Sequence, residues 1–514
     1  MAHSAETWNG ATSLSTPDIT GATNGRVALF YKAVRGADIN QYLPKAADEN
    51  ITDAFLLAFN LRDCRGGKGE RKLGREALRW LFLTHPDAFQ KVLPLVADYG
   101  RWDDLLVFFP KYFDLTSLEV VTSTYNLAPT VESHLDKARA LQKEAVSLFA
   151  RQLAADKEAM ENGSSCSLAA KWAPSEKSSD DRKYGLVSTL AKEMGVNPDK
   201  YRKQYLTPLR SYIGIVEKFM CEKRWDEIEF SKVPSCAMKR LKKAFAKNAE
   251  AAFNEWKEKL NKGEVDVKGK QLYAHELIKE IRDNKYDIVS QKQWEVLEEE
   301  TRKLGSLNKA LVVVDVSGSM FGGYGSVAPI DVACALGLLV SGCVAEGDPF
   351  RDLVITFHEV PAFYKVTGNN LKERYQCLSR APWGMSTNFQ AVFKMILDKA
   401  KQSSLSQEDM PDKVIVISDM QFNHAGSSTN FQAIEKQYAE SGYKRPQIVF
   451  WNVNGTTPAH EFPVNVQDDG TALISGFSTS VLKSIINGKD FNPYAIMRET
   501  IDDERYAPVK RALE

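Results

Sequence analysis

Four short apolar runs decide what the C-terminal part of this chain can become. "KALVVVDVS", "DLVITFH", "DKVIVISD" and "QIVFWNV" succeed one another from Asn308 onward, each rich in β-branched residues. Between them lie "VACALGLLVSGCVAEG", "LKERYQCLSRA", "NFQAVFKMILDKAKQ" and "NFQAIEKQYAESG", whose apolar residues recur at helical spacing. Continuous apolar strands are buried on both faces, so the alternation predicts a mainly parallel sheet with helices on each side. The order is that of a doubly wound α/β domain, where ligands bind at the carboxyl ends of strands. Asp315 and Asp419 each stand at such an end.

The first 300 or so residues have a different rhythm. "ITDAFLLAFNLRD", "GREALRWLFLTH", "FQKVLPLVADY" and "RWDDLLVFF" carry apolar residues three and four apart, punctuated by "RGGKGE", Pro86, Pro94 and Gly100. Short turns between helices imply antiparallel pairs stacked as in an α-solenoid, a HEAT-like helical repeat domain without a strict period. The expected organisation is a flexible N-terminal segment (1–22) and a helical repeat domain (23–305) with an exposed loop near 160–183. An α/β domain (306–490) and a C-terminal tail (491–514) follow. "RGGKGER" (65–71) reads as a tight cationic turn. It suits either backbone capture of an anion or, preferably, a helix connection whose Arg or Lys pairs with a neighbouring repeat.

Composition excludes several classes. Lys and Arg number 67 against 67 Asp and Glu, so any nucleic-acid surface must be local. Seven scattered cysteines form no CxxC pair, which fits reduced thiols in the cytoplasm or nucleus. The N-terminus shows no signal-peptide pattern. The longest apolar stretch, "PIDVACALGLLVSGCVAEGD", carries Asp331 and falls short of a membrane span, so a buried helix is expected and no membrane partner.

The loops after the strands carry the chemistry. Asp315, Ser317 and Ser319 form DxSxS after the first run, Thr387 precedes a helix in "WGMSTNFQ", and Asp419 ends "VIVISD". Two carboxylates and three hydroxyls at one sheet edge are hard oxygen donors that suit Mg2+ or Mn2+. Taken singly, each could merely cap a helix or turn. A dinucleotide site is disfavoured because Gly323 of "GYGSVA" stands too far from the strand. A P-loop would need a lysine that the loop lacks, and a phosphoaspartyl hydrolase would need an acid at Ser317. A nucleophilic serine would need a base, and His358 and His424 make no triad with it.

These residues, in this order on these loops, resemble a von Willebrand factor A domain with a complete metal-ion-dependent adhesion site, over roughly 307 to 487. The resemblance implies that Ser317, Ser319 and Thr387 touch the metal, while Asp315 and Asp419 hold it directly or through water. It also implies that a partner's carboxylate completes the coordination.

Between Arg182 and Lys262 there are 19 basic residues against 10 acidic ones. Arg202, Lys203 and Arg210 interleave with Tyr201, Tyr205 and Tyr212, and Lys239, Arg240, Lys242 and Lys243 cluster on one predicted helix. Cations and aromatics together are the ingredients of single-stranded RNA binding. The competing reading is a solvated helix face with aromatics in the core. Helical repeats followed by a von Willebrand A domain resemble the Ro autoantigen and its TROVE relatives, which implies RNA binding. "RDCRGGKGER", "ADYGRWDDLL", "KWAPSE", "EKFMCEKRWDEIEFSKVPSCAM" and "GFSTSVLKSIING" resemble the domain of unknown function 2828 family, from about 20 to 490. The expected function is a non-enzymatic binding protein, with RNA on the helices and a partner's acidic group on the metal. The alternative is a protein-assembly scaffold that uses the metal site and helical groove without RNA. No small-molecule substrate is expected.

Overall fold

The apolar runs become strands of a six-stranded sheet in the computed structural model of the protein. It describes residues 4–6, 12–14, 24–116, 129–305, 307–322, 327–357, 361–381, 383, 388–420, 430–455, 463–464, 468–487 and 491–514. Within segment 1–22, strands β1 (Ser4–Glu6) and β2 (Thr12–Leu14) pair antiparallel. The main sheet comprises β3 (Ala310–Val314), β4 (Leu353–Thr356), β5 (Phe363–Lys365), β6 (Lys413–Ser418), β7 (Gln447–Asn452) and β8 (Thr471–Ser475). Their order is β5-β4-β3-β6-β7-β8. Every pairing is parallel except β4 with β5. The chain winds outward from β3 through β4 to β5, then crosses to the other side at β6. The topological switch point therefore lies between the carboxyl ends of β3 and β6.

Register shows which residues share a face. Val313, Val416 and Phe450 stand side by side, as do Val314, Ile417 and Trp451 on the opposite face. The ring of Phe389, opening the helix Phe389–Gln402, stacks on Phe450 at 5.5 Å. The helix Pro329–Gly342 packs on the Val314 face, where a Cβ on Gly337 would lie 2.4 Å from Val314 Cγ2. Only glycine admits so close an approach. All of that helix is buried, as its apolar sequence predicts. The two edge strands, β5 and β8, are additions to the four that the sequence pattern shows; "FYK" is too short to announce itself. No helix among the described residues is long and apolar enough to cross a membrane.

The N-terminal region is helical, with elements of uneven length, including Ile51–Arg62, Arg71–Thr84 and the 27-residue Leu135–Glu161. In the last, Leu135, Ala138, Leu141, Ala145, Phe149 and Leu153 form the buried stripe that helical periodicity demands. The expected loop near 160–183 is partly helical, with Ala169–Trp172 and Ser179–Tyr184, and Ala169 and Ala170 are buried. One continuous apolar core joins the N-terminal helices to the sheet. A satellite core lies under the helices Ser235–Asn248 and Glu250–Lys262.

The segment 491–514, read from sequence as a tail, folds into the helices Pro493–Ile501 and Ala507–Leu513 and docks on the N-terminal helices. Its apolar residues are spaced for a buried face: Ile496, Met497, Ile501, Tyr506 and Val509 all lie in the main core. Arg498 donates to Asp53 at 2.6 Å, and Arg505 grips the fully buried Asp63 with two nitrogens. Tyr506 donates to Asp63 at 3.1 Å and accepts from Asn60 at 2.9 Å.

The "RGGKGER" turn is the point on which these parts converge. Lys68 is fully buried, and its Nζ donates to the carbonyls of Phe30 and Ala33 and to Ser475 Oγ at 2.7 Å. Burial lowers its pKa to about 7, opposed by the charge of Glu70. A Cβ on Gly67 would lie 2.2 Å from Asn60 O, so the turn closes only on glycine. Tyr273, before the helix Ala274–Arg282, donates to Gly69 O at 2.9 Å and brings the end of the helical region back to its beginning. Arg505→Ala strands the Asp63 carboxylate in the core. The expected loss is about 3 kcal/mol, read from urea unfolding. An unchanged midpoint would show that the C-terminal helices do not clamp the fold.

Candidate metal centre

The strand ends place two carboxylates at the switch point. Asp315 follows β3 and Asp419 follows β6; they are 0% and 1% exposed. Asp315 N donates to Ile417 O at 3.0 Å, continuing the ladder one residue past the strand. Its Oδ1 accepts from Ser317 N at 2.9 Å and its Oδ2 from Ser418 Oγ at 2.5 Å, so both oxygens are aimed by neutral donors. Burial, with the nearby charge of Asp419 adding to it, pushes the Asp315 carboxyl up to about 7; the hydrogen bonds from Ser418 and Ser317 oppose the rise. The seat thus resists a second negative charge, a cost that a cation would offset.

Ser317 and Ser319 flank this pair on the turn Gly318–Phe321. Their hydroxyls lie 3.2 Å apart, with Ser317 buried and Ser319 exposed. Oxygen donors thus run from the core to the surface, as an ion taking ligands from both protein and solvent would need. Thr387, His358 and His424 lie outside the described residues, as do Gly323–Ser326 of the glycine-rich loop. Among the described residues no group of three or more His, Cys, Asp or Glu is arranged for a metal. The fit therefore rests on two carboxylates with hydroxyls, the donor set that suits a hard ion.

Sequence reasoning passed over the residues beside these. Ser418, one position before Asp419, orients Asp315; the "ISD" ending of the strand carried that signal. By register Ser418 stands beside Asn452, and Asn452 beside Ser475. All three are fully buried, and Ser475 accepts from Lys68. A buried polar row therefore crosses the sheet from Asp315 to the "RGGKGER" turn. Asn452 Nδ2 in that row has no hydrogen-bond partner among the described residues.

The basic residues do not form one surface. Arg210 is a structural clamp, donating to Ala170 O and Ala173 O at 2.8 Å and to Ser175 Oγ at 2.9 Å. Lys242 is buried and donates to Glu280, Asp287, Ser290 and the Lys285 carbonyl at 2.8–3.1 Å. Both are corrections to the expected RNA set: a long side chain on an amphipathic helix can reach inward to a buried acid as readily as outward. Arg202 and Lys203 share Asp199, Lys239 pairs with Glu276 and Arg240 with Glu217. Lys243 is exposed. Tyr201 is fully buried, a packing group rather than a stacking platform.

A family model described as "Domain of unknown function (DUF2828)" matches residues 124–199 and 196–307, and one described as "Domain of unknown function (DUF7788)" matches 309–512. The uncharacterized protein L728 of Acanthamoeba polyphaga mimivirus is 32% identical over 511 residues, covering 94% of this chain and 85% of that protein. The chain belongs to the DUF2828 family. The junction of the two family models falls between the helix Ile288–Lys303 and β3, where the structure changes from helical to α/β. The second model runs through the C-terminal helices, consistent with their place in the fold. The crystal structure of the Deinococcus radiodurans RO (RSR) protein aligns over 94% of both chains, with 14% identity and a TM-score of 0.36.

The Asp315 environment has a pH signature. Its folded pKa lies above the unfolded carboxylate value, so the chelator-treated protein loses stability as pH rises from about 4 to about 7. Asp315→Asn does not titrate. Its advantage over the native chain should widen by roughly 2–3 kcal/mol between pH 5 and pH 8, measured by denaturant unfolding in EDTA. A constant difference across that range would mean that the carboxyl is not held in its protonated form.

Proposed function

We propose a non-enzymatic binding protein whose α/β unit seats Mg2+, or Mn2+, at the switch point and offers the ion's open coordination position to a partner protein's carboxylate. The observation that carries this reading is the buried pair Asp315 and Asp419 at adjoining strand ends, with neutral hydroxyls beside them. Ser317, Ser319 and Thr387 complete the donor set in this reading, following the resemblance to the metal-ion-dependent adhesion site. Neutral hydroxyl ligands leave the ion net positive, which favours an acidic sixth ligand. The Ser317 and Ser319 hydroxyls lie 3.2 Å apart, and this reading takes them as metal ligands rather than nucleophiles. All seven cysteines are unpaired, in keeping with the cytoplasm or nucleus. Mg2+ should raise the melting temperature of the chelator-treated chain. Asp315→Ala and Asp419→Ala should abolish that response while retaining the circular dichroism of the fold. A full response in both variants would contradict the seat.

One observation favours a second activity, RNA binding on the helical region. Arg240, Lys243 and Lys247 are exposed at three- and four-residue spacing along one face of the helix Ser235–Asn248. Such a stripe suits successive phosphates of a single strand or an RNA end. Charge reversal at Lys243 and Lys247 should weaken binding to single-stranded RNA and flatten its salt dependence by about 0.7 per lost phosphate contact. An unchanged salt slope would favour the scaffold reading, in which the metal site and helical groove take protein partners without RNA.

A further inference from the structure

We infer that the mouth of this centre carries an aromatic rim that selects partners whose acidic residue is directly flanked by a large apolar or aromatic side chain. The inference rests on the cation-dependent reading above and extends it to the partner's local sequence.

The rim is made by two loops. Phe321 is 57% exposed, one of three large hydrophobic residues so exposed among those described; the others are Leu168 and Tyr212. It closes the turn Gly318–Phe321, in which Met320 is fully buried. The buried Met320 anchors the turn, while Ser319 and Phe321 on either side of it are exposed. The ring centroid of Trp383, from the loop before the helix Phe389–Gln402, lies 6.1 Å from that of Phe321, at an interplanar angle of 55°. Trp383 is half-buried against the main core, and its Nε1 donates to Leu378 O at 3.2 Å, which fixes the indole. Separate loops thus bring two aromatic rings together beside the hydroxyls, one braced and one exposed.

A phenyl ring left in water beside a polar seat is surface that a partner gains by covering. Reach defines the partner further. Ser319 and Phe321 are two residues apart, a span of at most about 7 Å even when extended. A partner whose carboxylate sits on the ion can therefore bring only a neighbour one or two positions away over the ring. Charge complementarity fixes the acid, and the rim fixes its neighbour. An aromatic anchor next to a desolvated polar contact is the usual make-up of an interface hot spot.

The test is calorimetric titration of the Mg2+-loaded full chain with three N-acetylated, C-amidated peptides: Gly-Asp-Phe-Gly, Gly-Asp-Ser-Gly and Gly-Asn-Phe-Gly. The Asp-Phe peptide should bind about five- to tenfold more tightly than Asp-Ser, and Asn-Phe should not bind. Phe321→Ser should erase the preference, with the Mg2+-induced rise in melting temperature as its control for folding and metal loading. Equal, EDTA-sensitive affinity for both Asp peptides would overturn the rim and leave the metal seat standing. Binding of Asn-Phe as tight as that of Asp-Phe would also overturn the inference, because the ring would then act without the ion. Failure of every peptide to bind would overturn carboxylate capture itself and the rim with it.

Discussion

A single buried lysine ties the two parts of this molecule together. Lys68 is received by the Phe30 and Ala33 carbonyls of the helical region and by the Ser475 hydroxyl of the outer strand β8. A polar group out of water is costly unless its hydrogen bonds are met, so the contact holds only while the segment from Phe30 to Ala33, the turn and β8 keep their places. Gly67 lets the turn approach Asn60, and Asp63, two residues before the turn, receives Arg505 from the far end of the chain. Helices from both ends of the sequence, and the sheet between them, thus meet around one loop.

That joint and the candidate metal centre share one sheet edge. Asp315, Ser418, Asn452 and Ser475 follow one another across the carboxyl ends of four strands, all buried. The row has the Lys68 amine at one end and the Asp315 and Asp419 carboxyl groups at the other. The carboxylates are held apart from the lysine by neutral side chains instead of being neutralised by it. In the reading proposed above, a divalent cation would offset the charge of these two acids.

Much of this was legible in the sequence, because parallel strands buried on both faces cannot hide their composition. The β3 and β6 runs, the wholly buried helix after the glycine-rich loop and the placement of Asp315 and Asp419 at strand ends all follow from patterning. Strand order adds the switch point, which depends on crossovers that no local pattern records. The edge strand β5 is only three residues long and leaves no pattern to read. The C-terminal helices read as a tail because their partners, Asp53 and Asp63, lie more than 400 positions away in sequence. Arg210 and Lys242 misled for the opposite reason: local charge density does not reveal that a side chain turns inward to meet carbonyls or a buried acid. Phe321 carries no local pattern that marks it, and its exposure is a property of the fold.

The central claim is that the oxygen atoms at the β3 and β6 termini seat a hard divalent ion. The most direct measurement is anomalous diffraction from crystals of the full chain grown with Mn2+, collected at the manganese edge. One strong anomalous peak is expected at the Asp315, Ser317, Ser319 and Asp419 cluster, about 2–2.5 Å from each oxygen that ligates it directly. An absence of anomalous density at this cluster, in crystals with manganese bound elsewhere on the chain, would contradict it.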